Sequence, residues 1–201
     1  MDVGTLIQSF KDIKPGIPVE VRIGVTGHRK LENEGLIRDS IKKVLNRIDD
    51  ILKNILKKNL KHNPYSFTVI SPLAEGADRI VAREVMGWNT EGRKALLEAV
   101  LPLPEEDYMN DFETPDSKAE FKNFLKKARN VRFLEKAESR KAAYENVGRY
   151  VVDNCHFLIA IWNGKPAAGK GGTAEIVEHA MKAQRFVFWI HSEDGSIKEV
   201  I

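Results

Sequence analysis

The stretch FLIAIWNGKPAAGKGGTAEIVEHAMKA, residues 157–183, decides how this chain is read. Its first six residues, Phe157–Trp162, are an unbroken apolar run of strand length. Such a run, without polar alternation, signals a strand covered on both faces, the usual state in a parallel sheet. A connection carrying Gly164, Gly169, Gly171 and Gly172 follows, and Thr173 then opens an amphipathic helix that runs to Gln184. Strand, glycine-rich connection and helix make one strand–helix unit, the building block of α/β folds.

Working outward, the same alternation recurs along the chain. VEVRIGVT, Val19–Thr26, reads as a strand rich in β-branched residues. From Glu34 to about Lys61, Leu36, Ile37, Ile41, Val44, Leu45, Ile48, Ile51, Leu52 and Ile55 recur at three- and four-residue spacing, which predicts a long helix. Its lysines, among them Lys42, Lys43 and Lys53, fall mostly off that stripe and read as a solvated face. Further strands are expected at Phe67–Ser71, Ala95–Leu101, Val131–Leu134 and Phe186–Ile190. Helices are expected at Ala74–Met86, Ser117–Ala128 and Glu138–Asn154, with a short one at Leu6–Ile13. Ser117 and Glu120 have the spacing of a capping box. Pro102 and Pro104 close the third strand, and the acidic EEDYMNDFETPD after them reads as a loop. The expectation is a single α/β domain over 1–201, a three-layer Rossmann-like, doubly wound and mostly parallel sheet. Residues 1–18 are an N-terminal extension and 193–201 a flexible polar tail. In such sheets ligands bind beyond the carboxyl ends of the strands, where the strand order reverses.

Composition narrows the class. The 201 residues hold 42% hydrophobic and 30% charged residues, as in ordinary globular proteins. Lys and Arg number 32 against 29 acids, a formal +3. That excess is too small for the concentrated basic face of a nucleic-acid binder. The single Cys155 excludes an internal disulfide framework and fits a reducing compartment. No signal peptide is visible, and no apolar run approaches the ~18 residues a membrane span needs. A cytoplasmic location is expected.

The loops that follow the strands carry the chemistry. Glycines let backbone N–H groups converge, and a helix start adds orphan donors and a partial positive charge. Gly169, Lys170, Gly171, Gly172 and Thr173 therefore form a seat for a phosphate or carboxylate, with Lys170 adding a point charge. The pattern is not a P-loop, which needs Ser or Thr directly after the lysine. Gly27, His28 and Arg29 follow the first strand, and Arg29 suits bidentate recognition of an anion; the bland alternative is a turn whose basic side chains reach water. Glu75, Gly76 and Asp78 open the helix after the second strand. They serve as helix-start acids or as carboxylate acceptors for a ribose diol. Tyr144 is read as core, interface or base-stacking, with core or interface favoured. The histidines are scattered and no CxxC or HExxH occurs, so neither a metal nor another cofactor is expected. Cys155 reads as a small buried hydrophobe, not a nucleophile.

Taken together, VTGHR (Val25–Arg29), SPLAEGADRIVA (Ser71–Ala82), LPLPEEDYMNDF (Leu101–Phe112) and the run from Arg140 to Ala180 resemble the SLOG superfamily. These are Rossmannoid domains that include the LOG-type phosphoribohydrolases and sensors of nucleotide-derived ligands. By that resemblance Arg140 matches the arginine of the family's Arg-Lys pair, and Gly172-Thr173 its Gly-Thr. Ala168, Gly169 and Lys170 stand where the family's Pro-Gly-Gly is expected. The family's glutamate would fall on Ile176, whereas this chain has Glu175. One residue turns a helical side chain by about 100°.

Two classes of function follow from the resemblance. One is a module that binds a nucleotide or nucleotide-derived signal and works with a separate effector protein. The other is a nucleotide N-glycosidase in which the glycine loop and Arg140 or Arg29 hold the phosphate, and Glu175, or Glu75 or Asp78, serves the ribosyl centre and activates water. The displaced glutamate favours binding over catalysis. The resemblance also implies a homodimer, with Glu138–Asn154 as one interface.

Overall fold

The computed structural model describes residues 17–59, 64–88, 95–134, 137–166 and 172–200. The expected Leu6–Ile13 helix and the loop residues Gly169, Lys170 and Gly171 lie outside the described residues.

Among the described residues, seven strands form one sheet in the order β4-β3-β2-β1-β5-β6-β7. They are β1 (Val19–Gly27), β2 (Tyr65–Ser71), β3 (Leu96–Leu101), β4 (Asn130–Phe133), β5 (Phe157–Trp162), β6 (Phe186–His191) and β7 (Ile197–Val200). All neighbours run parallel except β6 and β7. The helices are α1 (Glu34–Asn59), α2 (Ala77–Met86), the one-turn α3 (Glu105–Tyr108), α4 (Pro115–Lys127), α5 (Arg140–Asp153) and α6 (Thr173–Lys182). This is a Rossmann-like α/β fold.

The chain winds outward from β1 to β4, then returns with β5 on the other side of β1. Strand order therefore reverses between β1 and β5, where Gly27 pairs with Ile161. The two halves of that path cover opposite faces. Ile37, Ile41, Leu45 and Ile48 of α1, Ile80 and Val81 of α2 and Phe121 of α4 bury one face of the sheet. Val147, Val151 and Val152 of α5 with Ile176, Val177 and Ala180 of α6 bury the other. The heptad-like spacing of α1 places its apolar stripe on the sheet and leaves Lys42, Lys43 and Lys53 exposed. Burying each such aliphatic or aromatic side chain contributes about 1.5–3 kcal/mol.

Beyond the helices, the second face carries charge in place of apolar cover. Arg22 pairs with Glu98 (2.6 Å) and Glu20 (3.2 Å), and Arg129 with the same two carboxylates. Those neighbouring arginines hold both carboxyls below the usual range, against the upward pull of burial at Glu98.

Four local expectations are corrected. Helix α4 begins two residues early: Thr114 is its N-cap, accepting from Ser117 N–H at 3.1 Å, and Pro115 sits in the first turn. Ser117 and Glu120 are thus inside the helix, where they bond Glu75, Arg79 and Arg83 in place of a capping box. The acidic stretch after β3 is not an open loop but α3 and a 3₁₀ turn, Met109–Asp111, anchored by buried Tyr108 and Phe112. Helix α6 stops at Lys182. Finally, 197–200 is no flexible tail: β7 pairs antiparallel with β6. Arg47–Glu199 and a Ser40 hydroxyl bond to Gly195 O tie that hairpin to α1. No described helix is long and apolar enough to cross a membrane.

Candidate functional site

The β2–α2 connection is built by its own side chains. Ser71 Oγ accepts from Leu73 N–H (3.0 Å) and donates to the Asp78 carbonyl (3.3 Å). That pins Leu73 at φ 61°, a left-handed conformation rare for a branched residue, with its side chain fully buried. Gly76 follows at φ 75°, and a Cβ there would overlap the His28 and Arg29 carbonyls. The close approach is needed because Ala77 N–H, an uncapped helix-start donor, bonds His28 O at 3.0 Å. Arg79, 2% exposed, donates to Leu73 O and Ser117, pairs with Glu120 and stacks 4.4 Å from the Phe112 ring. The SPLAEGADR motif is thus largely a device for fixing the rim of the sheet.

Two chambers open above that rim, at the carboxyl ends of β1, β2 and β5. The first, about 570 Å³, is lined by Val25, Thr26, Pro72, Tyr144, Gly148 and Ile176, with Asp78, Tyr108, Arg140 and Lys141 among its polar residues. The second, about 510 Å³, is lined by His28, Trp162, Asn163, Lys165, Gly172 and Ala174. They share Gly27, Arg29 and Thr173. The start of α6 therefore sits between them. Gly172 is its N-cap and supplies no side-chain cap, so the helix start keeps orphan donors.

Asp78 is 6% exposed and accepts from Ala74 N–H at 3.2 Å. Burial pushes its carboxyl up to about 7, against the opposing pull of that bond, Arg29 and Arg79. Tyr108 is 0% exposed, and its hydroxyl has no hydrogen-bond partner among the described residues. Asp78, Arg29, Asp111 and Arg79 surround it electrostatically, and burial raises its ionisation well above the usual phenol range.

At the mouth of the first chamber Asp111 gathers three groups. It pairs with Arg140 at 2.6 Å and Arg29 at 3.6 Å, and accepts from the Tyr144 hydroxyl. Asp107 holds Arg140 as well, at 2.9 Å, and Arg29 lies 5.4 Å over the Tyr144 ring.

The structure thus brings Gly27, Arg29, Asp78, Arg140 and Thr173 together at one cleft, with His28 and Gly172 in the adjoining chamber. Gly27 is demanded by packing: a Cβ there would lie 2.7 Å from Ile161 O. His28 Nε2 accepts from Asn163 N–H at 3.3 Å, so the ring ties β1 to β5. Glu75 lies outside both chambers and accepts from the Ser117 hydroxyl. In the first turn of α6, Ile176 and not Glu175 lines the cleft, and it fills the space that a Cβ on Gly148 would occupy. Cys155 is buried with its thiol pushed up to about 12, which removes it as a nucleophile.

Tyr108 and Asp111 were absent from the expected site. Their signal was present: Tyr108, Met109 and Phe112 have helical spacing within the acidic stretch. Tyr144, favoured as core or interface, packs partly buried against the core and also lines the cleft. Nothing in the local pattern marked Lys165.

Comparison with protein-family models finds none that matches this chain, and comparison with curated proteins finds no relative.

Proposed function

We propose that this chain binds a nucleotide or nucleotide-derived small molecule, as a ligand-sensing module that acts with a separate partner protein. One observation carries the reading: the uncapped start of α6 opens at the reversal of strand order, between two chambers of about 570 and 510 Å³ that share Arg29 and Thr173. Helix starts attract anions, and strand-order reversals are where doubly wound sheets bind ligands. Each chamber has the volume of a small-molecule site. The resemblance to the SLOG superfamily points the same way.

Catalysis is the second reading, with N-glycosidic cleavage as its form. It draws on Asp78, a cleft carboxyl raised to about 7, near where a general acid works best. Ile176, at the position the family gives its glutamate, weighs against it.

The test incubates the protein with nucleoside monophosphates, NAD, ADP-ribose and cyclic nucleotides, reading thermal shift and released base on the same samples. Stabilisation without free base is expected. Release of base would replace sensing with hydrolysis. Thr173→Asp should abolish the stabilisation while leaving the melting temperature of the free protein within about 2 °C. An acid in the first helical turn suits the helix dipole but repels a bound phosphate. Unchanged ligand stabilisation in that variant would place the anion elsewhere.

A further inference from the structure

We infer that the site has a polarity and a sugar preference: the phosphate faces the second chamber, and Asp78 with Tyr108 reads the vicinal hydroxyls of a ribose in the first. The inference rests on the nucleotide reading above.

The two chambers differ in charge. Among the described residues, the second is lined by His28, Arg29 and Lys165 and by no carboxylate. The first holds the Asp78 carboxyl beside Arg140, Lys141 and the shared Arg29, and Asp111 already pairs with both arginines and Asp107 with Arg140. A phosphate in the first chamber would meet those carboxylates. In the second it meets Lys165, the shared Arg29 and the start of α6, with no carboxylate among the described lining residues. Phosphate therefore goes to the second chamber and the nucleoside to the first.

Within the first chamber, hydrogen-bonding capacity is left over at one place. Asp78 Oδ2 takes the Ala74 N–H, and Oδ1 has no hydrogen-bond partner among the described residues. The Tyr108 hydroxyl, fully buried in the lining of the same chamber, also has none. A hydroxyl so buried is costly to leave unmatched, and Asp78 Oδ1 stays open to the chamber. A carboxylate oxygen needs donors, and a phenol hydroxyl both donates and accepts. A vicinal diol supplies two donors and two acceptors on adjacent carbons. Val25, Val147, Gly148 and Ile176 line the same chamber and offer a planar base an apolar surface to lie against.

The experiment measures affinities of the four ribonucleoside 5′-monophosphates and their 2′-deoxy counterparts by calorimetry at pH 8, where the Asp78 carboxyl is ionised. The wild-type chain should bind the ribose form at least about 10-fold more tightly. A site built to bond a hydroxyl rejects the analogue that lacks it. Asp78→Asn should lower ribose affinity more than deoxy affinity, which keeps the 3′-hydroxyl contact, and shrink the ribose preference below about 2-fold; Tyr108→Phe should give a smaller loss with the same pattern. Equal affinity of wild type for ribose and deoxyribose forms would overturn the inference and leave the nucleotide reading standing. So would a loss in Asp78→Asn that depends on the base and not on the 2′-hydroxyl. Binding of no nucleotide at millimolar concentration would overturn both.

Discussion

Asp78 is the residue on which most turns. Its carboxyl is raised from 3.8 to about 7 by burial, facing Arg29, Arg79, the Tyr108 hydroxyl and the Ala74 N–H. Between those pH values the folded chain holds a proton that the unfolded chain has lost. Stability contributed at this position therefore falls as pH rises through about 4 to 7, and the cost is complete above 7. Asp78→Asn removes that dependence. Relative to wild type it should gain stability from pH 4 to pH 8, by about 2–4 kcal/mol from the size of the shift. Urea unfolding at both pH values measures it, and parallel profiles for the two proteins would show an unperturbed carboxyl. The sequence marked Asp78 as a helix-start acid or a sugar acceptor, and the structure places it in the first turn of α2 and in the lining of the cleft. Its burial was not legible, because the residues that cover it, Tyr108 and Arg29, belong to other segments.

At the scale of elements, the β2–α2 turn shows why SPLAEGADR stood out. Ser71, Leu73, Gly76 and Arg79 each hold backbone in a place where few other residues fit. Gly76→Ala should destabilise the fold by about 2–4 kcal/mol, since it combines a positive φ with overlap against two carbonyls. A midpoint unchanged in urea would mean the turn can relax away from His28. The stretch after β3 makes the opposite point. Its acids and two prolines read as a loop, yet Tyr108, Phe112 and Phe121 pack with ring centroids 4.9–5.6 Å apart and draw it into a helical turn. That turn aims Asp111 at Arg29 and Arg140. The N-cap of α4 moved for a related reason: Ser117 and Glu120 meet the charges of α2, leaving Thr114 to satisfy the helix start.

For the whole molecule, stability should be graded from the centre of the sheet to its β4 edge. Val69 in β2 is 0% exposed, whereas Val131 in β4 is 45% exposed. Val69→Ala should cost about 1–3 kcal/mol and Val131→Ala less than about 0.5. Urea unfolding of both variants checks the contrast, and equal losses would show that the edge is buried in solution by something further. The same gradient bears on function. The cleft is carried by the central strands β1, β2 and β5, so the groups that face a ligand stand on the most tightly packed part of the fold.

By itself the sequence determined the alternation of strands and helices, the parallel sheet with both faces covered, and the glycine connection ahead of α6. Each of these is written in periodicity or in a short run of neighbours, within the range over which local backbone preferences act. Only the tertiary structure decided what faces the cleft. Arg29, Asp78, Tyr108, Asp111 and Arg140 come from four separate segments, and their burial and pairing exist only once the sheet brings those segments to one rim. Side chains that carry charge or a hydroxyl have no periodic signature. Whether each meets water, an ion pair or a ligand is settled by what folds over it.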